Sequence, residues 1–342
     1  MKKIGVGIVG FGFSSTTFHI PLLQTIGEYD IRTIVSSKEE VVKEALPTVR
    51  VVSKIEELVK QDDIDLVVIT SPNTTHFPYV KEAILHGKHV VVEKPFVVSI
   101  EEGEELITLA KENNVLVSVY HNRRWDNDFL TIKKLIQEKQ IGNIFTYEAH
   151  FDRFRPHVRD RWREKNLPGS GILYDLGSHL IDQVLHLFGT PDAVSADVVK
   201  QRPGAQTDDY FHIVLHYGVQ RVILHSSSYV KHAGPHFNIH GEKGSIVKFG
   251  MDSQEEQLKA GKQPGDSLYG EDEPNNYATL ETEEETVRIP TEVGCYDMYY
   301  KGIRDSILNG SPLPVTAEEG LQVIRIVQAA IESSEKGKVI SL

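Results

Sequence analysis

The sequence predicts an α/β protein: a doubly wound parallel sheet in the first 122 residues, then an α+β region with an open, largely antiparallel sheet. Three observations carry this. Short β-branched runs alternate with helical patterns up to residue 119, as in βαβ units. Beyond residue 142 apolar residues fall on every second position, as in Phe211, Ile213 and Leu215, which marks a sheet with one buried face. At 342 residues the chain is also too long for one ordinary core. The expected division is residues 1–122 and 123–342.

Composition narrows the class. Hydrophobic residues make up 40% and charged residues 25%, the balance of a soluble globular protein. Cys295 is the only cysteine, so no internal disulfide forms and a cytoplasmic location is expected. No apolar run approaches the roughly 20 residues that span a bilayer, and Met1-Lys2-Lys3-Ile4-Gly5 lacks the features of a signal peptide. A net charge of -12 opposes binding to a phosphate backbone, so neither nucleic acid nor membrane is an expected partner.

Taken in order, Ile4 to Val9 reads as a strand that runs into Gly10-Phe11-Gly12-Phe13-Ser14-Ser15, after which Phe18, Leu22, Leu23 and Ile26 fall at helical spacing. This is the dinucleotide fingerprint of a Rossmann-type unit, with Ser15 at the third glycine position. Gly10 permits the turn, Gly12 lets backbone approach a pyrophosphate, and the helix start favours the anion. A tight turn alone would also use these glycines. The strand Ile31 to Val35 ends in Ser36-Ser37-Lys38, where an acid would bind the ribose 2′-hydroxyl of NAD. Two hydroxyls and a lysine suit a 2′-phosphate, so NADP is expected; a serine helix cap is the alternative.

Val49 to Val52 and Leu66 to Ile69 continue the strands. The loop Thr70-Ser71-Pro72-Asn73-Thr74-Thr75-His76 lies at a strand's carboxyl end, where Ser71, Pro72, Asn73 and His76 are candidates to line the cofactor, although Pro72-Asn73 is also a good turn former. The run His89 to Val92 reads as a buried strand that stops abruptly at Glu93-Lys94-Pro95. Lys94 therefore stands where open α/β sheets bind ligands. Ser99-Ile100-Glu101-Glu102 fits a capping box, and Val115 to Val119 completes a sixth strand.

With the glycine turn, Glu93-Lys94-Pro95 and Asp175-Leu176-Gly177-Ser178-His179 in view, the chain resembles the Gfo/Idh/MocA family of sugar and inositol oxidoreductases over nearly its whole length. Tyr120-His121-Asn122-Arg123-Arg124-Trp125-Asp126 and Arg161-Trp162-Arg163-Glu164 make it most similar to the NADP-dependent scyllo-inositol 2-dehydrogenases of that family. The resemblance implies an NADP-binding first domain, a second domain for substrate binding and oligomerisation, a homodimer or homotetramer, and a cis peptide before Pro95. It also implies that Tyr120, His121 and Arg124 wall the substrate. Glu93, Lys94, Asn122, Trp162 and Arg163 would reach the cofactor. Locally, Arg123 and Arg124 could equally pair with Asp126 and Asp128.

In the second region a helix from about Asn127 to Glu138 precedes strands at Ile144 to Phe151, Ala193 to Val199, Phe211 to His216 and Arg221 to Ser226. Asp252 to Glu285 is charged, rich in glycine and proline and weakly periodic, and is expected to be a long mobile loop. Helices from about Tyr296 to Asn309 and from Thr316 to about Glu335 close the chain. On the helix Ile172 to Phe188, Asp175, His179, Asp182 and His186 form one stripe. Metal binding, structural polar contacts and catalysis all fit such a stripe; no metal is expected, and the resemblance selects Asp175 and His179 as catalytic.

The implied chemistry is oxidation of a secondary alcohol on a cyclic polyol. His179 is the candidate base, Asp175 positions groups beside it, and Lys94 stabilises the reacting oxygen. Another sugar, aldose or ketosugar, would use the same residues. A nonenzymatic NADP-binding sensor is the reading from a different class.

Overall fold

The computed structural model describes residues 3–342 and divides into two compact units. The first contains residues up to 122 and two returning segments, Gln254–Tyr269 and Cys295–Leu321. A single boundary at residue 122 would assign both segments to the second unit. Buried apolar residues draw them back: Tyr296, Tyr299, Tyr300 and Val315 are all fully buried. Among the described residues, no helix is long and apolar enough to cross a membrane.

The first unit is built on six parallel strands: β1 (Ile4–Val9), β2 (Tyr29–Val35), β3 (Arg50–Val52), β4 (Leu66–Ile69), β5 (His89–Val92) and β6 (Val117–Val119). Their order is β3-β2-β1-β4-β5-β6. Every residue of β1 and β4 is buried, which is why these strands read as unbroken apolar runs in the sequence. The order reverses between β1 and β4. There the carboxyl ends diverge and leave a crevice, the usual ligand position in such sheets. Ser99 caps the helix Ile100–Glu112 by accepting from the Glu102 N–H at 3.2 Å, and the Glu102 carboxylate accepts from the Val98 N–H at 3.3 Å, one residue before the partner a capping box uses.

The second unit carries nine strands: β7 (Ile144–His150), β8 (Ala193–Val199), β9 (Tyr210–Tyr217), β10 (Gln220–Ser227), β11 (Phe237–Gly241), β12 (Gly244–Lys248), β13 (Ala278–Thr282), β14 (Thr286–Ile289) and β15 (Ile340–Ser341). The order is β14-β13-β12-β11-β7-β10-β9-β8-β15, and every pairing is antiparallel except β7 with β10. One face packs Tyr147, Phe211, Ile213, Leu215 and Leu224 into a core with helical residues such as Phe129, Leu180 and Val327. Truncating a residue so placed, Phe211→Ala for instance, costs about 3–5 kcal/mol. The other face holds alternating polar residues.

The segment 252–285 is not the loose loop its composition suggests. It contains the helix Gln254–Lys259 and strand β13, which pairs with β12. Its second-unit part is pinned by Lys248, fully buried, whose Nζ donates to Asp272 Oδ2 at 2.8 Å. Thr291 and Asn276 donate to the same carboxylate, and Asp252 accepts from the Asn127 N–H at 2.7 Å. The charged side chains that suggested solvent therefore serve as internal anchors.

Candidate functional site

In the first unit the glycine turn follows β1 directly. Gly10 has φ +105, a conformation that side chains rarely tolerate, and a Cβ there would press on the Thr70 hydroxyl at 2.8 Å. Thr70 Oγ1 in turn donates to the Val9 carbonyl at 2.9 Å, tying β1 to β4 at the crevice. At Gly12 a side chain would meet no protein atom within 4 Å, so the space over the turn is clear for a ligand's approach. Ser15 replaces the third glycine without a clash. Its hydroxyl folds back, accepting from the Gly12 N–H and donating to the Gly12 carbonyl, both at 2.9 Å.

At the end of β2, Ser37 and Lys38 are exposed and Ser36 is partly so. The helix Glu39–Ala45 begins at Lys38 with no side-chain cap, so the serines do not cap it. Ser36 Oγ accepts only from the Lys38 N–H, at 3.1 Å, among the bonds seen there. An uncovered pair of hydroxyls beside an ammonium suits a phosphate dianion. The cradle of Gly10 and Gly12 and this exposed Ser-Ser-Lys run thus fit a phosphorylated dinucleotide.

Lys94 follows β5, half-buried, and the Lys94-Pro95 peptide is cis, as the resemblance implied. The residue before it anchors a network that the sequence did not disclose. Glu93 accepts from Ser14 Oγ, and its Oε1 lies 3.0 Å from His19 Nε2. His19 Nδ1 lies 2.6 Å from the Tyr300 hydroxyl. Burial pushes the Glu93 pKa up, but His19, Ser14 and the Lys94 charge outweigh it and bring it down to about 2. Glu93 is therefore an anion beside Lys94 at neutral pH.

Two candidates in this unit take other roles. Tyr120 is 2% exposed and packs among His19 and Tyr299, with ring centroids 4.3 and 4.9 Å away; within this unit it is aromatic core and not an open wall. His76 is fully buried, its Nδ1 2.7 Å from the Pro95 carbonyl and its Nε2 3.0 Å from the Ser71 carbonyl. It holds two loops together instead of facing a ligand, and burial lowers its pKa. Asn73, His121 and Asn122 are buried, and Ser71 bonds Thr75 at 2.6 Å. Phe11 is half-buried, and Phe13, 55% exposed, lies under the Lys259 ammonium at 5.4 Å.

In the second unit Asp175 sits in a π turn, Leu173–Gly177, that opens the helix Ser178–Phe188 carrying His179. Such turns recur at functional sites. Gly171, with φ +97, starts the turn, and a Cβ there would overlap the Asp208 carboxylate. Asp208 accepts from the Leu173 N–H at 2.7 Å. Burial raises its pKa to about 6. The Asp175 carboxylate, 20% exposed, lies 3.6 Å from Arg163 Nε, and the Arg163 guanidinium stacks over Trp162 at 4.9 Å. These two predicted residues are thus brought together. They line a solvent-open cleft with Arg153, Arg155, Arg161, Glu164 and Asp208. His179 is 7% exposed.

Arg124 is not an open wall residue. Its Nε and Nη2 grip the two oxygens of Asp182 at 2.9 and 2.7 Å, with both side chains under 5% exposed. Neither Asp126 nor Asp128 is that partner. Arg123 does pair with Asp126, at 3.1 Å. The residues that sequence reasoning missed, His19 and Asp208, leave little local signal: a histidine four places after Ser15 and an acid in the loop before β9.

Residues 4–121 match the profile described as "Oxidoreductase family, NAD-binding Rossmann fold", and residues 133–342 match "Oxidoreductase family, C-terminal alpha/beta domain" of the same family. The chain is 49% identical to the scyllo-inositol 2-dehydrogenase (NADP(+)) IolW of Bacillus subtilis, covering 100% of this chain and 97% of that one. It is 45% identical to the uncharacterized oxidoreductase YdgJ of Escherichia coli, with 99% of each chain covered. The structure of the oxidoreductase YvaA of Bacillus subtilis superposes with a TM-score of 0.97 at 49% identity, over 100% of this chain and 99% of that one. The chain therefore belongs to the Gfo/Idh/MocA family of oxidoreductases and stands close to an inositol 2-dehydrogenase.

Proposed function

We propose that this protein is an NADP-dependent dehydrogenase that moves a hydride between a secondary alcohol of a cyclic polyol, scyllo-inositol or its inosose, and nicotinamide. The observation that carries it is Lys94, at the carboxyl end of β5 beside an ionised Glu93. When bound, the nicotinamide accepts or returns the hydride. The first unit supplies the glycine turn for the pyrophosphate, Ser36-Ser37-Lys38 for the 2′-phosphate, Ser71, Pro72 and Asn73 for the neighbouring ribose, and Lys94 as the cation beside the reacting oxygen. In the second unit His179 exchanges the alcohol proton through its imidazole and Asp175 orients a substrate hydroxyl. Trp162 and Arg163 border the nicotinamide. The open sheet face favours a homodimer or homotetramer, and the single cysteine favours the cytoplasm.

The arginine lining beside Asp175 favours a second reading, a sugar or polyol carrying a carboxylate or phosphate. Nicotinamide absorbance during incubation with scyllo-inositol, myo-inositol, glucose and glucuronate, each with NADP and then NAD, tests both. Reduction of NADP by scyllo-inositol is the expected result. Turnover confined to glucuronate would select the second reading, and NADP binding without any turnover would overturn both.

A further inference from the structure

The polar face of the nine-stranded sheet carries a row of residues that the oxidoreductase chemistry does not use. His150 on β7 pairs across the ladder with His225 on β10, His225 pairs with His212 on β9, and His212 pairs with Asp197 on β8. Residues paired in this way project to the same face. The row thus sets three imidazoles side by side, with ring centroids 5.2 Å apart for His150 and His225 and 5.7 Å for His212 and His225.

Asp152 lies just past β7, its side chain 8% exposed. The Ser227 N–H, donating to Oδ1 at 3.0 Å, fixes it in place. His150 Nδ1 is 3.4 Å from Asp152 Oδ2, and His225 Nε2 is 3.5 Å from Asp152 Oδ1. One ligand atom from each of the three residues can be chosen so that all lie within 4.8 Å of one another. Ligands on a tetrahedral ion with bonds of about 2.1 Å stand roughly 3.4 Å apart, close to the separations seen. The other ring nitrogen of His150 faces Glu148 Oε2 at 3.7 Å, which sets a carboxylate on the side where metal-bound histidines take an orienting partner.

We propose that His150, Asp152 and His225 form a binding site for a divalent transition cation of the zinc class. Two imidazoles and a carboxylate are a donor set for such ions, whereas magnesium and calcium prefer oxygen alone. A bound ion would clamp β7 to β10, the one parallel pair in this sheet.

The test uses full-length chain without a histidine tag, stripped with a chelator and then freed of it. Cobalt is titrated by visible absorbance and zinc by calorimetry and thermal melting. The expected result is one ion per chain, a visible band of tetrahedral or five-coordinate cobalt, and a melting temperature that rises with zinc. His150→Gln, Asp152→Asn and His225→Gln should each weaken zinc binding at least about 10-fold, while His86→Gln, on the other unit, leaves it unchanged. Variants are compared only where their metal-free melting matches the parent; all three need not qualify. Absence of stoichiometric binding by the parent chain, or binding that survives every qualifying ligand substitution, would overturn the proposal.

Discussion

Glu93 and Asp208 are both largely buried carboxylates beside candidate functional residues, yet their surroundings shift their pKa values in opposite directions. Glu93, before Lys94, has a histidine, a serine and an ammonium around it and is brought down to about 2. Asp208, under the turn that carries Asp175, has a backbone N–H and the Thr207 hydroxyl, with Asp209 adding repulsion, and rises to about 6. Burial pushes both upward; the presence of cations decides the outcome for Glu93. The surroundings of one anchor favour its anion, and those of the other disfavour it.

Substitutions separate the two kinds of anchor. The largest effect is expected at the group Glu93 supports: Lys94→Met should lower kcat by about 10³-fold with NADP affinity within a few-fold, read by steady-state absorbance and cofactor titration. Near-normal turnover would remove Lys94 from the chemistry. Next comes a carboxylate whose partner is fully committed. Asp182→Ala leaves Arg124 charged and buried, so a loss of about 3–5 kcal/mol is expected in denaturant unfolding, and a loss below 1 kcal/mol would contradict the buried pair.

Glu93→Gln should cost about 3 kcal/mol at pH 7, since its pKa lies at about 2 against an ordinary value of 4.5. Because the folded value is the lower one, this contribution is complete above pH 4.5 and fades as pH falls toward about 2. The parent and Glu93→Gln melting curves should therefore converge on acidification. Asp208→Asn should do the reverse. Its folded value of about 6 lies above the ordinary 3.8, so ionisation weakens the fold as pH rises through that window. The variant should match the parent within about 1 kcal/mol in acid and gain on it above pH 6. A large loss for Asp208→Asn at pH 8 would place both anchors in one class.

This contrast also marks what could be read from the sequence. The parallel sheet was legible because its central strands β1 and β4 are buried on both faces and stand out as apolar runs, and the glycine turn because Gly10 answers a local backbone demand. Lys94 was legible as the residue at which such a run stops. The anchors were not, because their partners are distant: His19 and Glu93 are separated by 74 residues, and Arg124 and Asp182 by 58. Local charge pairing pointed Arg124 toward Asp126 or Asp128, and the fold took it elsewhere. The segment 252–285 was misread for the same reason, since Asp252, Gln254 and Asp272 look like solvated residues until Lys248, Asn127 and Tyr296 N–H meet them.

The returning segments have a consequence for synthesis on the ribosome. The first 122 residues emerge with all six strands of their sheet but without Tyr299, Tyr300 and Val315, whose hydroxyl and carbonyl groups bond Ser118 and whose backbone receives Tyr29. Those partners arrive only after most of the second unit has been translated. The nascent amino-terminal segment must wait with its last sheet edge and aromatic cluster unfinished, a state prone to capture by chaperones. A chain cut at residue 290 would lose the closing piece of its first unit, not merely the end of its second.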